Sequence, residues 1–199
     1  MKEQSEAWRL FIAIEMPSAI RQTVFDHIAR LRQTEPKINA SWSRENNLHL
    51  TLKFLGDTPT AKVQAVADAV RDVAQRFKSF DLTVGGCGAF PAKGRPQVLW
   101  IGINDANGNL FNLHRKLDAE CGRLGFEREK RPFHPHLTIA RLRNSEGSRR
   151  ATQLHAEMTF PPQHVQVSEI VLFRSELLSE GPRHTAISRG RIGGEAGEV

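Results

Sequence analysis

The chain has 199 residues, enough for one domain with a sizeable core or for two closely joined lobes. At 39% hydrophobic and 25% charged residues it has the composition of an ordinary globular protein, which excludes a disordered or collagenous chain. A formal charge of +6 favours a polyanionic partner, but apart from Arg123, Arg128, Lys130 and Arg131 the cations are dispersed and read as a solvated face.

The opening "MKEQSEAWRL" lacks the apolar core of a signal peptide and no later run is long enough to span a membrane, so a soluble cytoplasmic protein is expected. "RLFIAIEM" (9–16) is strand-like and is stopped by Pro17. Ser18 stands where it can cap a helix to about Arg32, whose inner face would carry Ile20, Val24, His27, Ile28 and Leu31. After a loop with Pro36 and Trp42 comes the strand "LHLTLKFLG", ending at Gly56, then a helix over about 60–77 and a strand "FDLTVGG". "GGCGAF" lacks the Lys-Ser/Thr ending and the following helix of a phosphate-binding loop, and reads as a turn. The strand "QVLWIGIN" (97–104) leads to an amphipathic helix (109–125) with Leu110, Leu113, Leu117 and Leu124 on one side. "HPHLTIAR" (134–141), a helix over about 145–158, the strand "HVQVSEIVLFRS" and a last strand in "RHTAISR" complete the order, with a loose tail from about 190. Two cysteines, Cys87 and Cys121, are too few for a disulfide framework and are not spaced as metal ligands.

This order is a strand–helix–strand unit written twice. Setting "FIAIE" against "WIGIN" places Ile12 opposite Ile101, with 37 and 35 residues to the histidines His49 and His136. The pattern points to an α+β fold of two pseudo-symmetric lobes, each an antiparallel sheet with helices packed outside and an active-site cleft between them, rather than to a doubly wound parallel sheet. The two intertwined lobes would form a single domain over 1–199.

The repeat also carries the chemistry. His-x-Thr-x occurs at His49-Leu50-Thr51-Leu52 and again at His136-Leu137-Thr138-Ile139. Alternation along a strand sends Leu48, Leu50, Leu52 and Phe54 to one face and His49, Thr51 and Lys53 to the other. In the second strand Leu137 and Ile139 face the core, while His136, Thr138 and Ala140 share the opposite face. Each strand then offers an imidazole and a hydroxyl roughly 7 Å apart. A single such pair is more often a wet sheet face; two in equivalent places suggest convergence on one cleft. One neutral imidazole accepts a proton while a charged one donates, and threonine hydroxyls hold phosphoryl oxygens without adding charge. That set suits in-line displacement at a phosphodiester. His134 shares the parity of His136 behind Pro135 and reads as a positioning or incidental residue. With no carboxylate or thiolate at ligand spacing, a metal on His134 and His136 is not expected. His27, His114, His155, His164 and His184 have no comparable partner and read as structural.

The doubled motif and its flanks resemble the 2H phosphoesterase superfamily, and within it the bacterial and archaeal RNA 2′,3′-cyclic phosphodiesterases, once described as 2′-5′ RNA ligases. The carrying stretches are "RLFIAI" at Arg9–Ile14, "HLTLKFLG" at His49–Gly56, "GRPQVLWIGI" at Gly94–Ile103 and "HPHLTIAR" at His134–Arg141. The resemblance implies the two-lobed fold, His49 as proton donor, His136 as proton acceptor, and Thr51 and Thr138 on the phosphate; the residues alone are symmetric between the two roles. Arg141 is a candidate phosphate clamp or base-stacking partner, and Phe133 and Phe54 are candidate aromatic platforms, Phe54 with the handicap of core parity. The expected activity is cofactor-free hydrolysis of a terminal 2′,3′-cyclic phosphate, on RNA ends such as those of tRNA fragments or on small cyclic nucleotides, with reverse 2′-5′ ligation open to the same site. A monomer without membrane association is expected. The alternatives are a non-catalytic RNA-binding module and a phosphodiesterase for 2′-5′ oligonucleotides or small cyclic phosphates.

Overall fold

Strongly apolar, β-branched segments separated by amphipathic helices build two antiparallel sheets in a computed structural model that describes residues 6–143, 147–179 and 181–193. In chain order the elements are β1 (Ala7–Glu15), α1 (Ser18–Thr34), β2 (Ala40–Trp42), a 3-10 turn (Glu45–Asn47), β3 (His49–Pro59), α2 (Thr60–Gln75), β4 (Phe80–Phe90) and β5 (Val98–Asn104). They continue with α3 (Asn109–Arg123), β6 (His136–Leu142), α4 (Ser148–Glu157), β7 (Gln163–Val167), β8 (Glu169–Leu178) and β9 (Gly181–Arg191). One sheet has the order β3-β1-β8-β9 and the other β2-β6-β5-β4-β7, with antiparallel pairing throughout.

The two halves of the chain exchange elements. β4, from the first half, pairs with β5 of the second; β8 and β9, from the second half, complete the sheet of β1 and β3. The helices follow the same rule: α2 packs on β8 and β9 and against α3, while α1 meets α4, which lies on β4. A continuous apolar core runs through both sheets, from Leu10, Ile12 and Leu50 to Leu99, Ile101 and Leu137. The α1 face expected from its spacing is the buried one, with Ile20, Val24, His27, Ile28 and Leu31 all inside.

Register corrects the alignment of the repeat. His49 lies opposite Glu15 and Thr51 opposite Ala13, while His136 lies opposite Gly102 and Thr138 opposite Trp100. Ile14, not Ile12, is therefore the counterpart of Ile101, and the spacing to the histidine is then 35 residues in both halves. Four further expectations change. Ser18 is the first helical residue, behind Pro17, and makes no capping bond. The segment expected as one strand over 164–175 breaks at Ser168 into β7 and β8, which belong to different sheets. "GGCGAF" is not a turn but the second half of β4, where positive φ at Gly86 and a register shift between Val84 and Cys87 absorb extra residues as a bulge. The chain does not loosen at 190: Ile192 is buried and its N–H bonds to the Ser168 carbonyl at 2.7 Å, while 194–199 lie outside the described residues.

The most consequential irregularity sits in the motif strands. Ile12 pairs with Lys53 and Ala13 with Thr51, which leaves Leu52 as an extra residue; Leu99 pairs with Ala140 and Trp100 with Thr138, which leaves Ile139. Each bulge sends two consecutive residues to the core, Leu52 with Lys53 and Ile139 with Ala140. Parity reverses beyond it. Ala140 and Lys53 therefore turn inward, against the strict alternation expected for them, and Phe54 turns outward, 71% exposed.

An inward lysine must be neutralised. Lys53 Nζ donates to Asp118 Oδ1 at 2.6 Å and to the Glu127 carbonyl at 2.6 Å, and Arg128 Nε and the Glu129 N–H complete the carboxylate at 3.0 Å each. Burial opposes the charge on Asp118, but the bonds from Lys53, Glu129 and Arg128 outweigh it and hold the carboxyl at about 2. The bridge ties β3 to α3 and to the segment that leads into β6. Removing one partner strands a buried charge, whereas removing both does not. Asp118→Asn is expected to destabilise the fold by about 3–5 kcal/mol in chemical denaturation, and Lys53→Met with Asp118→Leu to recover most of that loss.

Candidate active site

The bulges decide what each motif strand presents. On β3 the outward face carries His49, Thr51 and, beyond the reversal, Phe54; on β6 it carries His136, Thr138 and Arg141. Phe54 and Arg141 are equivalent positions, opposite Phe11 and Val98 of the two central strands. β3 and β6 approach each other with Cα atoms within 8 Å although they belong to different sheets. The repeat thus places an imidazole and a hydroxyl on the outward face of each of two neighbouring strands, with an exposed aromatic ring beyond them on β3 and a guanidinium on β6. Neither threonine hydroxyl and no part of the Arg141 guanidinium has a partner among the described residues.

His136 is aimed by the backbone two residues upstream: its Nδ1–H donates to the His134 carbonyl at 2.6 Å, and at the equivalent place the backbone of Asn47 favours the charged form of His49. On His136 this commits Nδ1 and leaves Nε2 as the reactive nitrogen. The role of His134 is therefore to supply a carbonyl, as a positioning residue. Ser43 secures the bulge behind Thr138: its Oγ–H donates to the Thr138 carbonyl at 2.7 Å and its N–H to the Ile139 carbonyl at 2.9 Å.

The imidazoles rest on different walls. His49 stacks on Phe11 with ring centroids 4.8 Å apart, and Phe173 lies behind Phe11 at 5.1 Å. His136 meets Phe90 edge-on at 5.0 Å and Trp100 at 6.3 Å, and these rings line a cavity of about 230 Å³ with Gly102 and Pro135. A larger groove of about 570 Å³, between the end of α1 and Trp42, contains neither motif. Gly88 makes the second wall feasible, because a Cβ there would sit 2.1 Å from the Trp100 indole. Phe133 is placed differently from Phe54. It stacks face to face on His114 at 4.0 Å and meets Phe111 edge-on at 5.6 Å, and its ring contacts do not include either motif histidine.

Burial lowers the proton affinity of both histidines. His49 is held at about 4, first by burial and then by the neighbouring His184, against the opposing bond to Asn47. His136 is also lowered, by burial first and by the charges of Arg141 and His134, against its bond to the His134 carbonyl. His184 is the residue that sequence reasoning missed. It lies on β9, far along the chain, and reaches His49 because β9 docks on the 3-10 turn, where Asn47 Nδ2–H donates to the Pro182 carbonyl at 3.0 Å. No local pattern in "RHTAISR" signals that contact.

Among the described residues, His27, Cys87 and His155 form the single group of three side chains able to gather around a metal. They lie behind the second sheet. His155 Nε2–H donates to the Trp100 carbonyl at 3.0 Å, which leaves its Nδ1 to accept from His27 Nε2–H at 2.9 Å. The Cys87 thiol is pushed up to about 11 by burial. Burial holds both imidazoles neutral, so the group is best described as a hydrogen-bonded pair of neutral histidines supporting β5 beside a protonated thiol.

Two antiparallel sheets that each carry a His-x-Thr pair at an equivalent position define a phosphoesterase of the two-histidine type. A profile of the 2′-5′ RNA ligase superfamily matches residues 17–177, and the chain belongs to that family. It is 32% identical over 187 residues to the RNA 2′,3′-cyclic phosphodiesterase of Methanothermobacter thermautotrophicus, covering 92% of this chain and 98% of that one. It is 30% identical over 189 residues to the RNA 2′,3′-cyclic phosphodiesterase of Escherichia coli K12, covering 93% and 97%. Among solved structures, E. coli LigT complexed with 3′-AMP superposes with a TM-score of 0.76 at 27% identity over 95% of this chain and 100% of that one. TT0787 of Thermus thermophilus superposes with a TM-score of 0.77 at 25% identity over 94% and 99%.

Two outcomes follow from this geometry. Because one histidine must be neutral and the other protonated, kcat/KM should be bell-shaped in pH. Both proton affinities are depressed, so activity should fall below the lower value as the base is protonated and above the higher value as the acid is lost, with the maximum below the ordinary imidazole value of 6.5. Gly88→Ala should displace the Trp100 indole and lower activity while the circular dichroism spectrum stays native, an effect that rate measurements on the folded variant would show.

Proposed function

We propose that the chain is an RNA 2′,3′-cyclic phosphodiesterase that opens a terminal cyclic phosphate by histidine acid–base catalysis and leaves a 2′-phosphate. The observation that carries this reading is the His-x-Thr pair repeated before equivalent bulges on β3 and β6, two strands that approach each other from different sheets. The relatives named for this activity match nearly the whole chain.

In this mechanism the Thr51 and Thr138 hydroxyls donate to the non-bridging phosphoryl oxygens, and Arg141 balances their charge. His136 Nε2 takes a proton from water, whose oxygen attacks phosphorus. The bond to the 3′ oxygen breaks, and His49 protonates that oxygen. Phe54, beside Phe11 at 6.2 Å, offers a stacking face for a base at the cleft edge. Phe133 has a face committed to His114, so we assign it to the wall rather than to the base. With a 5′-hydroxyl in place of water as the nucleophile, the same line of atoms gives 2′-5′ ligation: His136 takes the hydroxyl proton, the P–O5′ bond forms, the bond to the 3′ oxygen breaks and His49 protonates that oxygen. The protein would act as a monomer on RNA ends, tRNA fragments included, or on small cyclic nucleotides, without metal or other cofactor. Among the described residues no helix is long and apolar enough to cross a membrane, and a cytoplasmic location is part of the same proposal.

The 2′ and 3′ oxygens of the cyclic ester are nearly equivalent, so only the collinear arrangement of base, phosphorus and acid selects between them. Phosphorus NMR of the hydrolysed oligoribonucleotide should show the 2′-phosphate alone; the 3′-phosphate would mean that acid and base are reversed. His49→Ala and His136→Ala should each lower the rate by about 10²–10⁴-fold, with the double variant little worse than either, since the two act as a unit. Turnover should persist in excess EDTA; its abolition, with restoration by zinc or manganese, would overturn the mechanism.

A further inference from the structure

The cleft contains a third imidazole that the two-histidine mechanism does not use. His184, half-buried, meets His49 edge-on with ring centroids 5.4 Å apart, and both rings contact the same face-forming residue, Phe11, at 4.9 and 4.8 Å. Its Nδ1 is buried and has no partner among the described residues. The contact is built rather than incidental. The β8–β9 hairpin is anchored beside His49 by the Asn47 side chain, whose Nδ2–H donates to the Pro182 carbonyl at 3.0 Å; Asn47 stands two residues before His49 in the chain and Pro182 two before His184.

We propose that His184 is a positioning residue of the active site, acting through His49: the two imidazoles carry at most one positive charge between them, whose extra proton rests on His184 in the empty cleft and on His49 when a phosphodiester anion is bound. This rests on the reading of His49 as a catalytic histidine. The physical basis is repulsion between two cations at 5.4 Å across a site that little water reaches. The repulsion is mutual, but the large depression falls on His49, held at about 4 by burial and by His184, while His184 is lowered by burial to a lesser degree, so the first proton settles on His184. The charged neighbours on the hairpin are committed elsewhere: Glu176 is bound by Arg174 at 3.3 Å and by Arg183 at 3.0 Å. From β1 and β8 the residues facing His184 are the uncharged rings of Phe11 and Phe173, and from β3 it is His49 itself. An anion placed between Thr51 and Thr138 lies on the His49 side of the pair and stabilises charge there first. His49 thereby becomes an acid that is charged mainly in the presence of substrate and gives up its proton readily.

The test is a proton-NMR titration of the whole protein, following the His49 ring in the wild type, His184→Phe and His184→Gln. Phenylalanine keeps the edge-on packing on Phe11 and glutamine keeps polarity, and both remove the second charge. In each variant the His49 midpoint should rise by about half to one pH unit, as expected for loss of one charge at this separation. The high-pH limb of kcat/KM on a 2′,3′-cyclic phosphate oligoribonucleotide, where the acid is lost, should move up with it. A His49 midpoint unchanged in both folded variants would overturn the proposal, even if their rates fell, because a packing role alone moves no titration. If the wild type fails to open the cyclic phosphate, the reading of the activity falls, while the NMR shift still decides whether the two imidazoles are coupled.

Discussion

A β-strand alternates strictly between two faces, and that alternation alone would deny the cleft half of what it presents. With uninterrupted pleating, Lys53 would stand beside His49 and Thr51 in the open cleft, and Phe54 would be sunk in the core. The extra residue in each motif strand removes the conflict: Leu52 and Ile139 let two successive side chains fill the core, and the position five residues after each histidine turns outward. The same device, used twice, yields an aromatic ring on one side and a guanidinium on the other. A symmetric scaffold thereby acquires an asymmetric cleft. One end can stack on a planar group and the other can balance an anion, as a nucleotide with a phosphate at one end requires.

The bulge has a second consequence, a lysine inside the protein. Lys53 is accommodated because α3, which follows a strand of the opposite sheet, brings Asp118 within 2.6 Å. The ion pair is thus a by-product of presenting the cleft residues, and it fastens the first motif strand to the residues just before the second. Placement of the two histidines is held at three levels: the shared apolar core, this bridge, and the local contacts of each ring, the Phe11 face under His49 and the His134 carbonyl on His136.

Much of this was legible in the chain. The doubled His-x-Thr pair, the elements around it and the inward face of α1 follow from alternation, helical spacing and repetition, all local properties. What stayed hidden is non-local. A bulge leaves no mark in "HLTLKFLG", since leucine, lysine and phenylalanine suit either parity, and only the partner strand shows which residue is extra. The break at Ser168 is silent for the same reason, because β7 and β8 are equally strand-like and differ only in the sheet they join. Cys87 and the glycines around it suggested a turn because glycine is usually a turn residue; here Gly88 is required by an indole resting on it and Gly86 by the bulge. His184 was passed over as a lone histidine, since its partner is 135 positions away and is met only through the curl of the β8–β9 hairpin.

The exchange of strands between halves bears on how such a protein can change over evolutionary time. A duplicated unit is usually expected to behave as a cassette, free to be replaced or recombined as a block. Here neither half owns a sheet: β4 of the first half is enclosed by β5 and β7 of the second, and β8 of the second is inserted between β1 of the first and its own partner β9. A crossover between two related genes at the midpoint of the chain would therefore create foreign ladders inside both sheets at once. The repeat that made the scaffold symmetric has become indivisible, and the two lobes can drift only together.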